Sequence, residues 1–498
     1  MDYGVLLSNY ERTAARGTGE SGTRTSQQHR LYACLRAAIL SGQIEEGTRL
    51  APSRTLAEEL GIARNSVLYA YEQLAAEGFV LSRRQGTVVA HVGLQQGRQQ
   101  APAQPPQTPP APPALSRRVA GLERPRGEMA DLLPFLPGTP ALDEFPLAQW
   151  RRCVERAWRR VGPGQLGYSP VEGNVALRQA VAEYLRVSRG ARCEAAQVFI
   201  TDGTQNSLDL CARALADAGD TAWIENPGYY GARAALLAAD LRLVPIGIDA
   251  DGLAPRPEDW RDTPPKLIYI TPSHQYPLGA VMSLERRLAL IQQARAAGTW
   301  IIEDDYDSEF RHSGAPLSAV QGLAADAPVI YLGTFSKMLF PALRLGYMVV
   351  PPALAPVLRL SAGALMLRGR VPEQLALTEF IEAGHFTRHL RRMRRLYGER
   401  RDALQAALET HLSGVVTVSG GAGGMHLSAR LDAPVRDVDV TVAARAQGMV
   451  LRPLSRFCLP GTQSAQYNGF VLGYGNVPAE AMDGLVMQMR RVIEQVAA

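Results

Sequence analysis

Lysine is almost missing from this chain: two lysines stand among 498 residues, against 51 arginines. Long apolar runs are missing too. No stretch of 18 apolar residues occurs, and the N-terminus, Met-Asp-Tyr-Gly-Val-Leu-Leu-Ser, has no basic segment leading into an apolar one, so neither a membrane span nor a secretory leader is expected. The five cysteines, at 34, 153, 193, 211 and 458, form no Cys-x-x-Cys pair, which argues against a zinc ribbon or a disulfide framework. These absences predict a soluble protein of the reducing cytoplasm, with no metal centre and no membrane partner.

The chain that remains is 46% hydrophobic, enough for a sizeable core, and long enough for more than one domain. Its net charge of +5 permits nucleic-acid contact without requiring it. A chain that writes nearly every cation as arginine keeps an amine at Lys337, at the end of Tyr331-Leu-Gly-Thr-Phe-Ser-Lys. A buried amine can lose its proton and form a Schiff base with an aldehyde, whereas a guanidinium cannot. Compositional bias explains the count equally well, so the surroundings of Lys337 must decide.

Residues 92–130 mark the clearest boundary. Their Pro- and Gln-rich run, Gln-Gln-Ala-Pro-Ala-Gln-Pro-Pro-Gln-Thr-Pro-Pro, cannot bury a core and reads as a semi-rigid spacer. Behind it, residues 131–498 alternate short apolar runs (Val198-Phe-Ile-Thr, Thr221-Ala-Trp-Ile, Leu267-Ile-Tyr-Ile, Trp300-Ile-Ile-Glu, Val329-Ile-Tyr-Leu) with helical patterns at 205–217, 229–238 and 284–297. That alternation predicts an α/β domain with a mostly parallel sheet, whose ligands bind at the carboxyl ends of the strands. The basic stretch Arg388-His-Leu-Arg-Arg-Met-Arg-Arg-Leu is expected to start a long helix into a smaller C-terminal α+β subdomain, about 380–498, with Leu390, Met393 and Leu396 inward. A solvated face accounts for its arginines, and a supplementary DNA-backbone contact is the alternative.

Ahead of the spacer, residues 27–91 read as three helices and a hairpin. A helix at about 28–41 is followed by one capped by Ser53 and stopped by Gly61, then by one starting near Arg64-Asn65-Ser66 and ended by Gly78. Two strands, 79–81 and 87–90, flank Arg83-Arg84-Gln85-Gly86. This is the order of a winged helix-turn-helix. Arg64, Asn65, Ser66 and Tyr69 are candidates for major-groove contact, Ser53 and Arg54 for phosphate, and Arg83 and Arg84 for the backbone or the minor groove. Charge does not distinguish this from a small helical domain, since residues 24–91 carry eight arginines against six glutamates.

Around Lys337 the segments fit the needs of pyridoxal 5'-phosphate, which requires an acid for its pyridine nitrogen, a donor for its phenolic oxygen, a ring stack and a phosphate cradle. In Glu303-Asp304-Asp305-Tyr306-Asp307, Asp304 is the candidate acid and Tyr306 the phenolic-oxygen partner. Gly203, Thr204 and Gln205 sit at a strand-to-helix turn suited to phosphate, with Thr334, Ser336, Arg344 and Tyr168 as further phosphate ligands. Tyr229, in Asn226-Pro-Gly-Tyr-Tyr, is the stacking ring, and His274 and Gln275, in Thr271-Pro-Ser-His-Gln-Tyr-Pro-Leu-Gly, are expected to face the cofactor and its effector. Each segment alone also reads as an ordinary turn.

In this order they resemble the fold-type I aminotransferases over roughly 130–498. With the GntR-like winged helix in front, the chain resembles the MocR/GabR-type transcription regulators. The resemblance implies an internal aldimine at Lys337, an amino compound or the cofactor itself as effector, and a homodimer, domain-swapped, in which Tyr168 reaches the neighbour's phosphate. It implies double-stranded DNA as a partner and a sensor rather than a turnover enzyme; an active aminotransferase with an accessory module is the alternative. Arg456 matches one of two arginines that hold an effector carboxylate in the GABA-responsive members. The other position is Gly231 here, with Arg233 as a substitute, which speaks against GABA.

Overall fold

A computed structural model describes residues 2–17, 26–83, 86–91, 116, 118, 132–314, 317–366, 369–462 and 464–498. The chain divides into two compact units, with the division after Ala114. The expected spacer, apart from residues 116 and 118, and Arg84 lie outside the described residues.

The first unit packs helices Gln27–Leu40, Ser53–Leu60 and Arg64–Ala76 against a hairpin of β1 (Val80–Arg83) and β2 (Gly86–Val89). The helix-turn-helix bend is made by Gly61, whose φ of 64° ends the second helix in the left-handed conformation that glycine adopts without strain. Leu31, Leu35, Leu56, Val67 and Leu74 fill the core. Ser53 is not a cap. Pro52 takes the N-cap position, and the Ser53 hydroxyl instead accepts a hydrogen bond from Arg64 Nε at 3.3 Å, tying together the starts of the second and third helices. A further helix, Tyr3–Gly17, was not foreseen. It is anchored by Tyr3, which is buried in the same core, donates its amide to Glu59 and accepts the Ala51 amide on its hydroxyl.

The second unit is built on an eight-stranded sheet of β3 (Val198–Thr201), β4 (Thr221–Asn226), β5 (Arg242–Asp249), β6 (Gly252–Leu253), β7 (Leu267–Ile270), β8 (Trp300–Asp305), β9 (Val329–Thr334) and β10 (Gly346–Val349), in the order β3-β10-β9-β8-β7-β4-β5-β6. The β9-β8-β7-β4-β5 core is parallel, while β10 runs against both of its neighbours. Nearly every position of these central strands is buried, because helices such as Thr204–Leu215 and Leu284–Ala297 cover the sheet. The 28-residue helix His385–Leu412 then leads to a four-stranded antiparallel sheet of β11 (Val416–Ser419), β12 (His426–Leu431), β13 (Arg452–Pro453) and β14 (Gly469–Gly473). Leu390 and Met393 of that helix are buried and Leu396 is partly so. No helix among the described residues is long and apolar enough to cross a membrane.

Candidate functional site

The carboxyl ends of β3, β4, β7, β8 and β9 converge on one cavity of about 250 Å3. Lys337, in the short helix Phe335–Met338 just after β9, points into it. Its Nζ donates to the Gly138 carbonyl at 2.6 Å, and a Cβ at position 138 would sit 2.6 Å from that nitrogen, so a side chain there would displace the amine from this position. Burial pulls the Lys337 pKa below its ordinary value against the pull of Asp307 and Asp304, which favours the free base that nucleophilic chemistry needs.

Strand alternation sorts the acidic run that follows β8. Glu303 turns to one face and accepts the amides of Val320 and Gln321. Asp305 lies on the same face, bonded to Arg189 and Tyr331. Asp304 is left facing the cavity. Its Oδ2 accepts from the Tyr269 hydroxyl at 2.7 Å, while its Oδ1 is buried with no hydrogen-bond partner. Burial raises the Asp304 pKa to about 7.

One end of the cavity is suited to a dianion. Gly203, at φ 99°, carries the chain from β3 into helix Thr204–Leu215, whose first residues Thr204 and Gln205 line the wall. First-turn amides and the helix dipole favour negative charge there. Thr334, Ser336 and Arg344 complete that end. The Arg344 guanidinium lies 3.7 Å from where a Gly203 Cβ would stand. Arg344 also holds φ at 49°, a left-handed conformation that costs a non-glycine residue about 1 kcal/mol and that clusters at ligand clamps.

Tyr229 lines the cavity from the end of β4, with burial pushing its pKa to about 12. Its ring explains Gly231, since a Cβ there would come within 2.5 Å of the Tyr229 ring carbons.

The loop after β7 corrects the sequence reading. His274 and Gln275 do not line the cavity. His274 Nδ1 lies 3.1 Å from Asp307, and its Nε2 lies 3.3 Å from the Gly420 carbonyl. Burial, the largest effect, pushes the His274 pKa down, but Asp307 overrides it and leaves it raised. The Gln275 amide is spent on Glu225 and the carbonyls of Pro227 and Tyr276. Both side chains hold the loop together and turn Tyr276 inward. The Tyr276 ring makes near-perpendicular contacts with Tyr229, Tyr306 and Phe457 at 5.9, 5.8 and 5.3 Å, and packs at 5.2 Å on His426. Its hydroxyl has no hydrogen-bond partner among the described residues. Tyr306 also faces the cavity, but its hydroxyl donates to the His274 carbonyl at 3.0 Å.

Sequence reasoning also missed Met425 and His426, which reach the cavity from the start of β12 and the residue before it, and Asp307. Tyr276 lay two residues past His274, and only the fold shows which ring turns inward; β12 carried no signal. Three further candidates do not line the cavity: Arg456 and Tyr168 are exposed, the latter 93%, and Arg233 is half-buried. His274, Asp307 and His426 bring their donor atoms within 4.8 Å of one another, but His274 uses both nitrogens and His426 Nε2 bonds the Pro277 carbonyl, so these groups clasp the two sheets together.

In the first unit, Arg54, Arg64, Asn65 and Arg83 are exposed, while Ser53, Ser66 and Tyr69 are half-buried. All but Arg83 lie at or within two turns of the starts of the second and third helices.

Residues 27–89 match the family described as bacterial regulatory proteins, gntR family, and residues 140–471 match aminotransferase class I and II. The chain is 41% identical over 459 residues to the probable rhizopine catabolism regulatory protein MocR of Rhizobium meliloti, covering 91% of this chain and 90% of that one. This chain belongs to the MocR-type family of helix-turn-helix regulators. A second family member, the pyridoxine biosynthesis transcriptional regulator PdxR of Corynebacterium glutamicum, is 32% identical over 91% of this chain and 92% of its own. The family's fold-type I aminotransferase architecture is seen in LysN, an α-aminoadipate aminotransferase from Thermus thermophilus solved with N-(5'-phosphopyridoxyl)-L-leucine. LysN aligns with a TM-score of 0.69 at 27% identity, over 77% of this chain and 97% of its own.

Proposed function

We propose that this protein is a pyridoxal phosphate-dependent, ligand-responsive regulator of transcription, in which residues 27–91 bind double-stranded DNA, 92–130 are a spacer and 131–498 are the sensor. The observation that carries the cofactor is Asp304 Oδ1, a buried carboxylate oxygen without a partner, in the same cavity as a buried lysine and a helix-start anion cradle. These residues fit the group. Asp304 would hold a proton on the pyridine nitrogen, Tyr229 would cover the ring, and Thr204, Gln205, Thr334, Ser336 and Arg344 would hold the phosphate. Lys337 would be the covalent anchor. When bound, the cofactor supplies an aldehyde that captures amines.

The effector is an amino compound or the cofactor itself. Tyr276 and His426 take the effector-facing role first given to His274 and Gln275. Arg456 and Arg233, outside the cavity, leave Arg344 as its one arginine among the described residues, and the cradle commits that residue to phosphate. Homodimer formation is supported by the exposed apolar side chains of Trp158, Leu166, Tyr168 and Leu360, which a soluble cytoplasmic protein would cover with a second, domain-swapped copy. Tyr168 would then reach the neighbour's phosphate.

Two measurements test the proposal. Reconstitution with pyridoxal phosphate should give a visible absorbance band that is absent in Lys337→Ala, and a gel shift on the region upstream of the protein's own gene should respond to cofactor or amines. The intact constellation also supports a second reading as a working aminotransferase. Sustained turnover at about 1 per second or more with an amino acid and a 2-oxoacid would establish that reading instead.

A further inference from the structure

We infer that the second unit carries its own DNA-phosphate surface, on the arginine face shared by helix Leu147–Arg160 and the first half of helix His385–Leu412. The argument begins with where the charge resides. Five arginines against Glu155 in residues 147–160, and seven against Glu399 in 385–401, give these two segments a net +10, so the rest of a chain whose net is +5 sums to −5. The winged-helix module supplies only +2. The positive charge is therefore concentrated on two helices far in sequence from the DNA-reading one.

The fold puts most of that charge on one surface; the exceptions are Arg400, buried against the Gly475 carbonyl, and Arg401, paired with Asp402. Trp150, Cys153 and Ala157 bury the inner side of the first helix, and Phe386, Leu390, Met393 and Tyr397 that of the second. Arg388, Arg391 and Arg395, spaced i, i+3 and i+7, are exposed on the outer side. The two arginine faces meet at His385, where Arg388 Nη2 lies 2.7 Å from the ring nitrogen and Arg152 and Arg156 add their positive fields to the burial that lowers its pKa.

Some of these cations have partners: Arg156 pairs with Glu379, Arg392 with Glu144, and Arg394 donates to the Glu309 carbonyl. Arg151, Arg159, Arg160, Arg391 and Arg395 form no ion pair among the described residues. A merely solvated helix interleaves acids at i+4, whereas stacked like charges cost about 0.2 to 0.5 kcal/mol per pair. A row of arginines without acids is relieved by a polyanion with regularly spaced charge, and DNA is the polyanion that the winged helix already recruits. Contacts of this kind go to the backbone and are independent of sequence.

This inference rests on the regulator reading, and the test separates the two. The full-length protein is titrated with two duplexes from upstream of its own gene, one of about 21 bp, or two helical turns, and one extended by about 20 bp at each end. The wild type should prefer the long duplex. In Arg388→Gln/Arg391→Gln/Arg395→Gln that preference should vanish, and the slope of log affinity against log salt on the long duplex should fall by about 2 to 3, at roughly 0.9 per phosphate contact. Binding to the short duplex should be unchanged. The corresponding triple Arg→Lys variant, which folds with the charge retained, should restore the slope. Equal affinity and slope for wild type and Gln variant on the long duplex would overturn the inference. Failure of the wild type to bind either duplex would overturn the regulator reading instead.

Discussion

The two units store their function differently. In the first, candidate DNA contacts such as Arg64 and Asn65 stand exposed on one short helix, and the core beneath them forms from residues close in sequence. In the second, the site gathers residues from Pro137 to His426 at the ends of five strands and buries its charges. An exposed reading head loses affinity one contact at a time when cut. A buried cofactor cradle loses its purpose when one anchor is removed. Predictions can therefore be ranked by how completely each change should affect one unit and spare the other.

The largest effect is expected from Lys337→Ala. Covalent cofactor and effector response should both disappear, as read by visible absorbance and by a gel shift with and without amine, while DNA affinity without effector stays within about twofold. Loss of DNA binding as well would show that the units are not separable.

Asp304→Asn comes next. It keeps the bond to Tyr269 but cannot ion-pair with a pyridinium, so cofactor affinity should fall by about 100-fold, or about 3 kcal/mol. Its pH signature is specific. The folded pKa of about 7 lies above the ordinary carboxyl value, so the protonated group favours the folded state at low pH, and that contribution is lost as pH rises towards and through 7. Glu225, Glu303 and Glu309 are held near the same value, so the cofactor-free wild type should lose thermal stability from pH 5 to pH 8. Asp304→Asn should lose measurably less across the same window. An identical decline would mean that Asp304 ionises freely.

In the first unit, Arg64→Ala should cost about 1 to 3 kcal/mol of specific DNA binding and leave the cofactor absorbance untouched. The pair also shows what a sequence can disclose. The winged helix was legible because its elements are adjacent and Gly61 and Gly78 punctuate them, though Ser53 was misjudged because its hydroxyl answers Arg64 rather than its own helix. The helix at 3–17 was missed because its one deep anchor, Tyr3, is a single residue with no periodic partner in the core. In the second unit the strand-end position of Lys337, Asp304, Tyr229, Thr334 and Arg344 could be read from motifs, since a parallel sheet fixes where strand ends lead. Met425 and His426 could not, because a separate sheet delivers them. Between His274 and Tyr276, sequence offers no criterion: both are rings in one loop, and a buried Asp307 from another strand decides which stays inside the wall.

That last choice gives the smallest and most discriminating test. Tyr276→Phe keeps every ring contact and removes one hydroxyl that has no partner among the described residues. Folding stability should be unchanged, while affinity for cofactor or effector falls by about 1 kcal/mol, or about fivefold, in a spectral titration. His274→Ala should behave oppositely. It leaves the Asp307 carboxylate buried without its counter-charge, so stability should drop by about 3 kcal/mol or more. Effector affinity at a temperature where the variant is folded should then move less than in Tyr276→Phe. If His274→Ala instead lowered ligand affinity with stability intact, the histidine would belong to the binding surface after all, and the division between a loop that supports and a ring that reads would fall with it.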